Sequence, residues 1–169
     1  MESIASRLVP GVINGEQNVI RQAWDKLHRL PGGRLVFSRA VGMAAPYTAS
    51  IGARVEELRH GYARVTMADR RAVRNHLQCV HAVALANLVE LTGNIAVAYT
   101  QPDDARFIVA GMEVDYIKKA RGRITGTCHC PTIESADKNE YRVAVELVDP
   151  QGELVVRGAL RTLVGPKPR

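Results

Sequence analysis

Aromatic residues make up only 5% of the 169-residue sequence, with one Trp and two Phe. Basic stretches interleaved with stacking rings, which single-stranded nucleic acid calls for, are therefore missing. Helix-turn-helix and zinc-finger spacings are absent too. Cysteines number three, and a small odd count suits a reducing compartment better than a disulfide framework. No apolar run approaches the roughly 20 residues of a membrane span. The opening MESIASRLVPG has no positive n-region leading into an apolar core and cleavage site. Internal repeats, low-complexity tracts and obvious linkers are also lacking. These absences lead to the expectation of a cytoplasmic globular protein with neither nucleic acid nor membrane as partner.

What is present is the material for one core. Apolar residues are 46% and charged residues 24%, an ordinary globular balance at a length of about one domain. The net charge of +6 leaves two options, an anionic partner such as a phosphate-bearing molecule or a surplus of solvated Arg.

Periodicity places a first helix over residues 16–30, with Ile20, Ala23, Trp24, Leu27 and Leu30 on one stripe. Asn14 and Gln17 suggest a capping box, and Pro31-Gly32-Gly33 a stop. A shorter helix over residues 35–43 ends before Pro46. Strands are expected over 53–58 and 62–67 around a His60-Gly61 turn, with Ala63, Val65 and Met67 on one face. An Arg-rich loop over 69–78 follows. Residues 79–92, CVHAVALANLVELT, read as a helix that is apolar nearly all round, closed by Gly93-Asn94. Such a helix must be wrapped by other structure. Five strands are then expected, over 95–100, 107–116, 123–130, 141–148 and 154–164. The fold class is α+β, one curved antiparallel sheet around a central buried helix. Residues 1–50 form an N-terminal helical extension packed on a domain of residues 51–169. One sheet covers one side of that helix, so the other side needs a second copy.

The stretch Asn75-His76-Leu77-Gln78-Cys79-Val80-His81-Ala82-Val83 through Glu90 resembles the signature of hotdog-fold acyl-CoA thioesterases. The nearest groups are the phenylacetate-pathway type and allied uncharacterised hotdog proteins. In them an Asn precedes a His by six residues and an acid follows that His by nine, as Asn75, His81 and Glu90 do here. Glu113 to Gly122, EVDYIKKARG, resembles the strand and bend that come later in such enzymes. The likeness spans residues 51–164. It implies a hotdog fold, thioester hydrolysis without metal or other cofactor, and active sites at a dimer interface. The sequence departs from the pattern where a Gly pair usually follows the His, since Ala82-Val83 stands there.

The chemistry is consistent with that likeness. A helix start supplies unpaired N–H groups and a positive dipole end, so the Ala82 N–H is the expected oxyanion donor, with Asn75 and His81 orienting nearby. Glu90 is expected as general base or nucleophile, since an acid in so apolar a helix is costly unless it has a task or a partner. It lies about 12 Å along the axis from Ala82 at 1.5 Å per residue. His81 and Glu90 point to opposite sides, so only two antiparallel helices across a two-fold axis bring an acid beside a helix start. A homodimer follows, with a tetramer of paired dimers open.

Simpler roles stand beside these. Glu90 could reach solvent or an Arg, His81 could be a cap, and Asn75 could be a turn residue, as His76 is. Val83 would border the substrate. Lys118, Lys119, Arg121 and Arg123, with Arg74 beside Asn75, form either a cradle for CoA phosphates or solvated strand ends. Cys128-His129-Cys130, with Cys79, lacks structural zinc spacing, and strand alternation turns His129 away from the cysteines. The two functions to separate are an acyl-CoA thioesterase and a non-catalytic hotdog module that binds acyl-CoA.

Overall fold

The computed structural model describes residues 17–168. The first helix, α1, runs Val19–Leu27 and is capped by Asn18, whose side chain accepts from the Arg21 N–H at 3.0 Å. It is shorter than the periodicity suggests. The expected cap Asn14 lies outside the described residues. Trp24 and Phe37 are buried, with ring centroids 5.1 Å apart at an edge-on angle. That contact joins α1 to α2, Gly33–Ala44. Pro46 ends the second helix as expected but also opens a one-turn helix, α3, Pro46–Ala49.

Strands β1 (Arg54–Arg59) and β2 (Tyr62–Met67) pair as a hairpin across His60-Gly61. The central helix α4, Ala82–Thr100, comes next. Strands β3 (Ala105–Tyr116), β4 (Ile124–His129), β5 (Asn139–Val148) and β6 (Leu154–Pro166) complete one antiparallel sheet. Its order is β1-β2-β4-β5-β6-β3, leaving β1 and β3 at the edges.

Two expectations fail together. Gly93-Asn94 does not close the central helix, and residues 95–100 are its last turns rather than a strand. Gly93 is there because the sheet comes close: a Cβ at that position would sit 2.4 Å from Leu160 Cδ1. Gly158 plays the same part from β6, where a Cβ would meet Val89 Cγ1 at 2.4 Å. The two glycines let helix and sheet interlock. Gly158→Val should therefore cost about 1–3 kcal/mol by overpacking, read as a lower urea midpoint.

Helix α4 packs across all six strands. Val65, Gly126, Leu147 and Val156 stand in register across β2, β4, β5 and β6, and the Val and Leu of this row are buried. The opposite face of the sheet is polar, with ion pairs such as Arg142–Glu113 and Arg161–Glu140. At 19 residues α4 is long and apolar enough to cross a membrane, which the sequence did not suggest. More than half of it is buried within the subunit, as befits a core helix.

The covering of α4 is incomplete along one line. Ala82 is exposed, while Ala86, Glu90 and Asn94, each one turn further, are half-buried. Residues four apart share a helix face, so this is one continuous stripe. Asn94 also leaves its buried Oδ1 without a donor among the described residues.

Candidate active site

The start of α4 is built by three segments. His81 is the N-cap in extended conformation, its Nδ1 accepting from the Val83 N–H at 3.1 Å. That bond places the proton of the neutral ring on Nε2. The His81 N–H donates to the Val73 carbonyl at 2.8 Å, and Val80 donates to the Ala120 carbonyl at 2.9 Å. Tyr116 Oη donates to the Ala82 carbonyl at 3.0 Å. Strand β3 and the bend after it are thus fastened to the helix start. The Ala82 N–H finds no acceptor among the described residues, and the residue is exposed. It is a free donor at the positive end of a 19-residue helix.

Asn75 fixes the loop leading into this turn. Its Oδ1 accepts from the Leu77 N–H at 2.9 Å and lies 3.4 Å from the Cys79 N–H. Beside the helix start lies a cavity of about 370 Å³, bordered by Tyr47, Arg74, His81, Val83 and Asn87. Val83 is half exposed and belongs to its lining. Asn87 is one of the site residues that sequence reasoning missed. It is buried, donates from Nδ2 to the Tyr47 carbonyl at 3.3 Å, and leaves Oδ1 without a donor among the described residues. A polar residue amid Ala and Leu was the signal available for it. Tyr116 was the other omission, though it lies within the stretch that carried the likeness.

Glu90 is two turns further along and outside this cavity. It is half-buried, and no described residue forms an ion pair or hydrogen bond with it. Of its two simpler roles, no Arg among the described residues pairs with it, while its half-buried position keeps contact with solvent within the subunit. The structure thus gathers Asn75, His81, Ala82, Val83 and Arg74 at one place and leaves Glu90 apart on the uncovered stripe.

The basic residues divide. Lys118 is engaged by Asp149 at 2.7 Å and by Glu153, and these two carboxylates raise its pKa. Within the subunit its ammonium ties the bend to the β5–β6 turn. Arg74 donates from Nε to Asp69 at 2.6 Å, so one edge of its guanidinium is committed. Lys119, Arg121 and Arg123 are exposed. Asp69 also accepts from the Gly122 N–H at 2.9 Å, so this buried carboxylate holds the basic bend against the helix-start loop.

The Arg74 hydrogen bond keeps the Asp69 carboxyl below its ordinary value, outweighing the opposing effect of burial. A depressed carboxyl adds stability that is present above its unfolded pKa, near 3.8, and is lost as pH falls through the folded value. Asp69→Asn should lower the urea midpoint at pH 7 and show a smaller further loss than wild type between pH 4 and pH 2. Leaving the Gly122 N–H poorly paired costs about 1–3 kcal/mol.

Cys128 and Cys130 offer no reactive thiolate. Burial pushes the Cys128 thiol up and that of Cys130 up to about 11. His129 faces away from both and packs on Tyr62, ring centroids 5.2 Å apart.

The family model described as "Domain of unknown function (DUF4442)" matches residues 33–164. This stretch includes α2. Among solved structures, the structural-genomics protein APC5556 is 32% identical, with a TM-score of 0.76 over 87% of this chain and 98% of that one. The Pseudomonas aeruginosa protein PA5026, whose name carries "probable thioesterase", is 25% identical, with a TM-score of 0.69 over 81% of this chain and 97% of that one. A thioesterase family protein from Silicibacter pomeroyi shares the fold at 15% identity, with a TM-score of 0.63 over 76% and 95% of the two chains. No curated protein sequence matches the chain. The chain belongs to the DUF4442 family and, by its six-stranded sheet around a central helix, to the hotdog-fold thioesterase superfamily.

Proposed function

We propose that the protein is an acyl-CoA thioesterase whose active site is shared between the two subunits of a homodimer. The observation that carries this is the separation on α4 between an unpaired N–H at Ala82 and an unpaired acid at Glu90 on the uncovered stripe. Two copies of the helix packed antiparallel along that stripe bring each Glu90 to the other copy's helix start. Edge strand β3, 12 residues long with one side unpaired, is a natural seam for the pair, since an open strand edge invites pairing.

In the proposed reaction the thioester oxygen accepts from the Ala82 N–H. The partner subunit's Glu90 takes a proton from water as the water oxygen attacks the carbonyl carbon. The tetrahedral oxyanion is held at the helix start, the C–S bond breaks, and the thiolate takes the proton back from the acid. The products are a carboxylic acid and CoA. His81, occupied as cap, orients the turn, and Asn75 holds the loop before it. Exposed Arg121, Arg123 and Lys119, with the free edge of Arg74, would meet the CoA phosphates.

The second reading is a binding module that holds acyl-CoA without turning it over. Val83 in the cavity lining, in place of the usual small residue, favours it. Thiol release from a panel of acetyl-, butyryl-, decanoyl- and phenylacetyl-CoA separates the two. Turnover of any member supports the enzyme. Thermal stabilisation by acyl-CoA without turnover supports the module.

A further inference from the structure

A second cavity, of about 550 Å³, lies between α2, α3 and β1. Leu35, Met43, Ala49, Ala53, Val55 and Leu91 line it. Of the two hydroxyls in its wall, Ser38 and Thr48, that of Ser38 is committed: its Oγ donates to the Arg34 carbonyl at 2.7 Å and accepts from the Val55 N–H at 2.9 Å. The rest of the lining is mostly hydrocarbon, with Arg39 and Thr48 as its other polar members. Its volume is that of sites that take small organic ligands, roughly 300–1,000 Å³. At the mouth, Met43 is 69% exposed and Leu35 is 41% exposed. Large apolar side chains left in water on one groove mark a binding surface.

The groove adjoins the helix-start cavity. Pro46, Thr48 and Ala49 of α3 line the groove, while Tyr47 of the same turn lines the other cavity. On α4, Asn87 lines the helix-start cavity and Leu91, one turn on, lines the groove. The partition between them is α3, tied to α4 at Asn87 by a single 3.3 Å hydrogen bond from Nδ2 to the Tyr47 carbonyl. Four residues so lightly held are the easiest part of the wall to displace.

We propose that this groove is the acyl-chain site, and that it selects medium-length, unbranched hydrocarbon chains over short acyl groups. A chain whose thioester sits at the helix start passes one turn along α4, beside α3, and ends among Ala53, Val55 and Leu91. The placement of the thioester rests on the thioesterase reading, whereas hydrocarbon binding in the groove stands without it. Each methylene buried there should tighten binding about fourfold.

The test uses the full chain and displacement of the fluorescent fatty acid cis-parinarate by butyrate or decanoate, for wild type, Ala53→Phe and Met43→Glu. Decanoate should displace the probe at a concentration at least tenfold below that of butyrate. Ala53→Phe, which fills the groove, should weaken decanoate at least tenfold. Met43→Glu, at an exposed position where folding is not at risk, should weaken it several-fold. Equal displacement by the two acids, or decanoate binding unchanged in both variants, overturns the proposal. So does a change of oligomeric state in Met43→Glu by size exclusion, which would make the groove a contact between copies. Wild type that turns over no acyl-CoA yet holds decanoate in an Ala53-dependent manner sinks the thioesterase reading and keeps this one.

Discussion

Glu90→Gln should lower kcat for thiol release at least a hundredfold while leaving the fold intact or slightly more stable. General-base catalysis by a positioned carboxylate contributes about 10²–10⁴-fold, and Gln keeps the shape but loses the basicity. Stability should not suffer because the carboxylate has no ion pair or hydrogen bond to lose among the described residues. A half-buried acid on an apolar helix costs folding energy that the amide lessens. Loss of rate with a steady or raised urea midpoint is the mark of a functional group kept at the expense of stability. A variant that unfolds instead, or one that retains full rate, would remove Glu90 from the mechanism.

Ala82→Pro should be nearly as damaging, for a reason that only the backbone supplies. Ala82 is the first residue of α4, the position where proline fits a helix best because its N–H has no intrahelical acceptor. The preceding residue must be extended before proline, and His81 already is, at φ −66° and ψ 139°. The substitution therefore deletes one N–H and leaves the carbonyl that Tyr116 binds. Removing one oxyanion donor costs about 10²–10³ in kcat. Ala82→Gly, which keeps the N–H, should retain most of the rate. If Ala82→Pro turns over normally, the helix start is not the oxyanion site.

Apart from the strand expected over 95–100, the order of helix and strands, the His60-Gly61 hairpin and the burial of Ala63, Val65 and Met67 were legible in the sequence, because alternation and turn chemistry are local. The end of α4 was not. Gly93 reads as a stop signal, yet its cause is Leu160, distant in sequence and adjacent in space. The partners of Lys118 were hidden in the same way: a charge is visible in a sequence, but its engagement by Asp149 and Glu153 is not. Glu90 stood out because a lone acid in an apolar helix is anomalous wherever the helix packs. Asn87 carried the same kind of signal more weakly, since a buried amide can be satisfied by one neighbour.

The central claim is that one site draws on two subunits, and mixing two inactive variants tests it most directly. Glu90→Gln and Ala82→Pro homodimers should each be nearly inactive. Unfolded together and refolded as a one-to-one mixture, half of the dimers should be mixed, and each mixed dimer holds one site with an intact Ala82 and an intact Glu90. The mixture should then recover about a quarter of the wild-type rate, as two-fold symmetry requires. A mixture no more active than its components would place Ala82 and Glu90 of the same subunit in one site, or in none, and contradict the shared-site account.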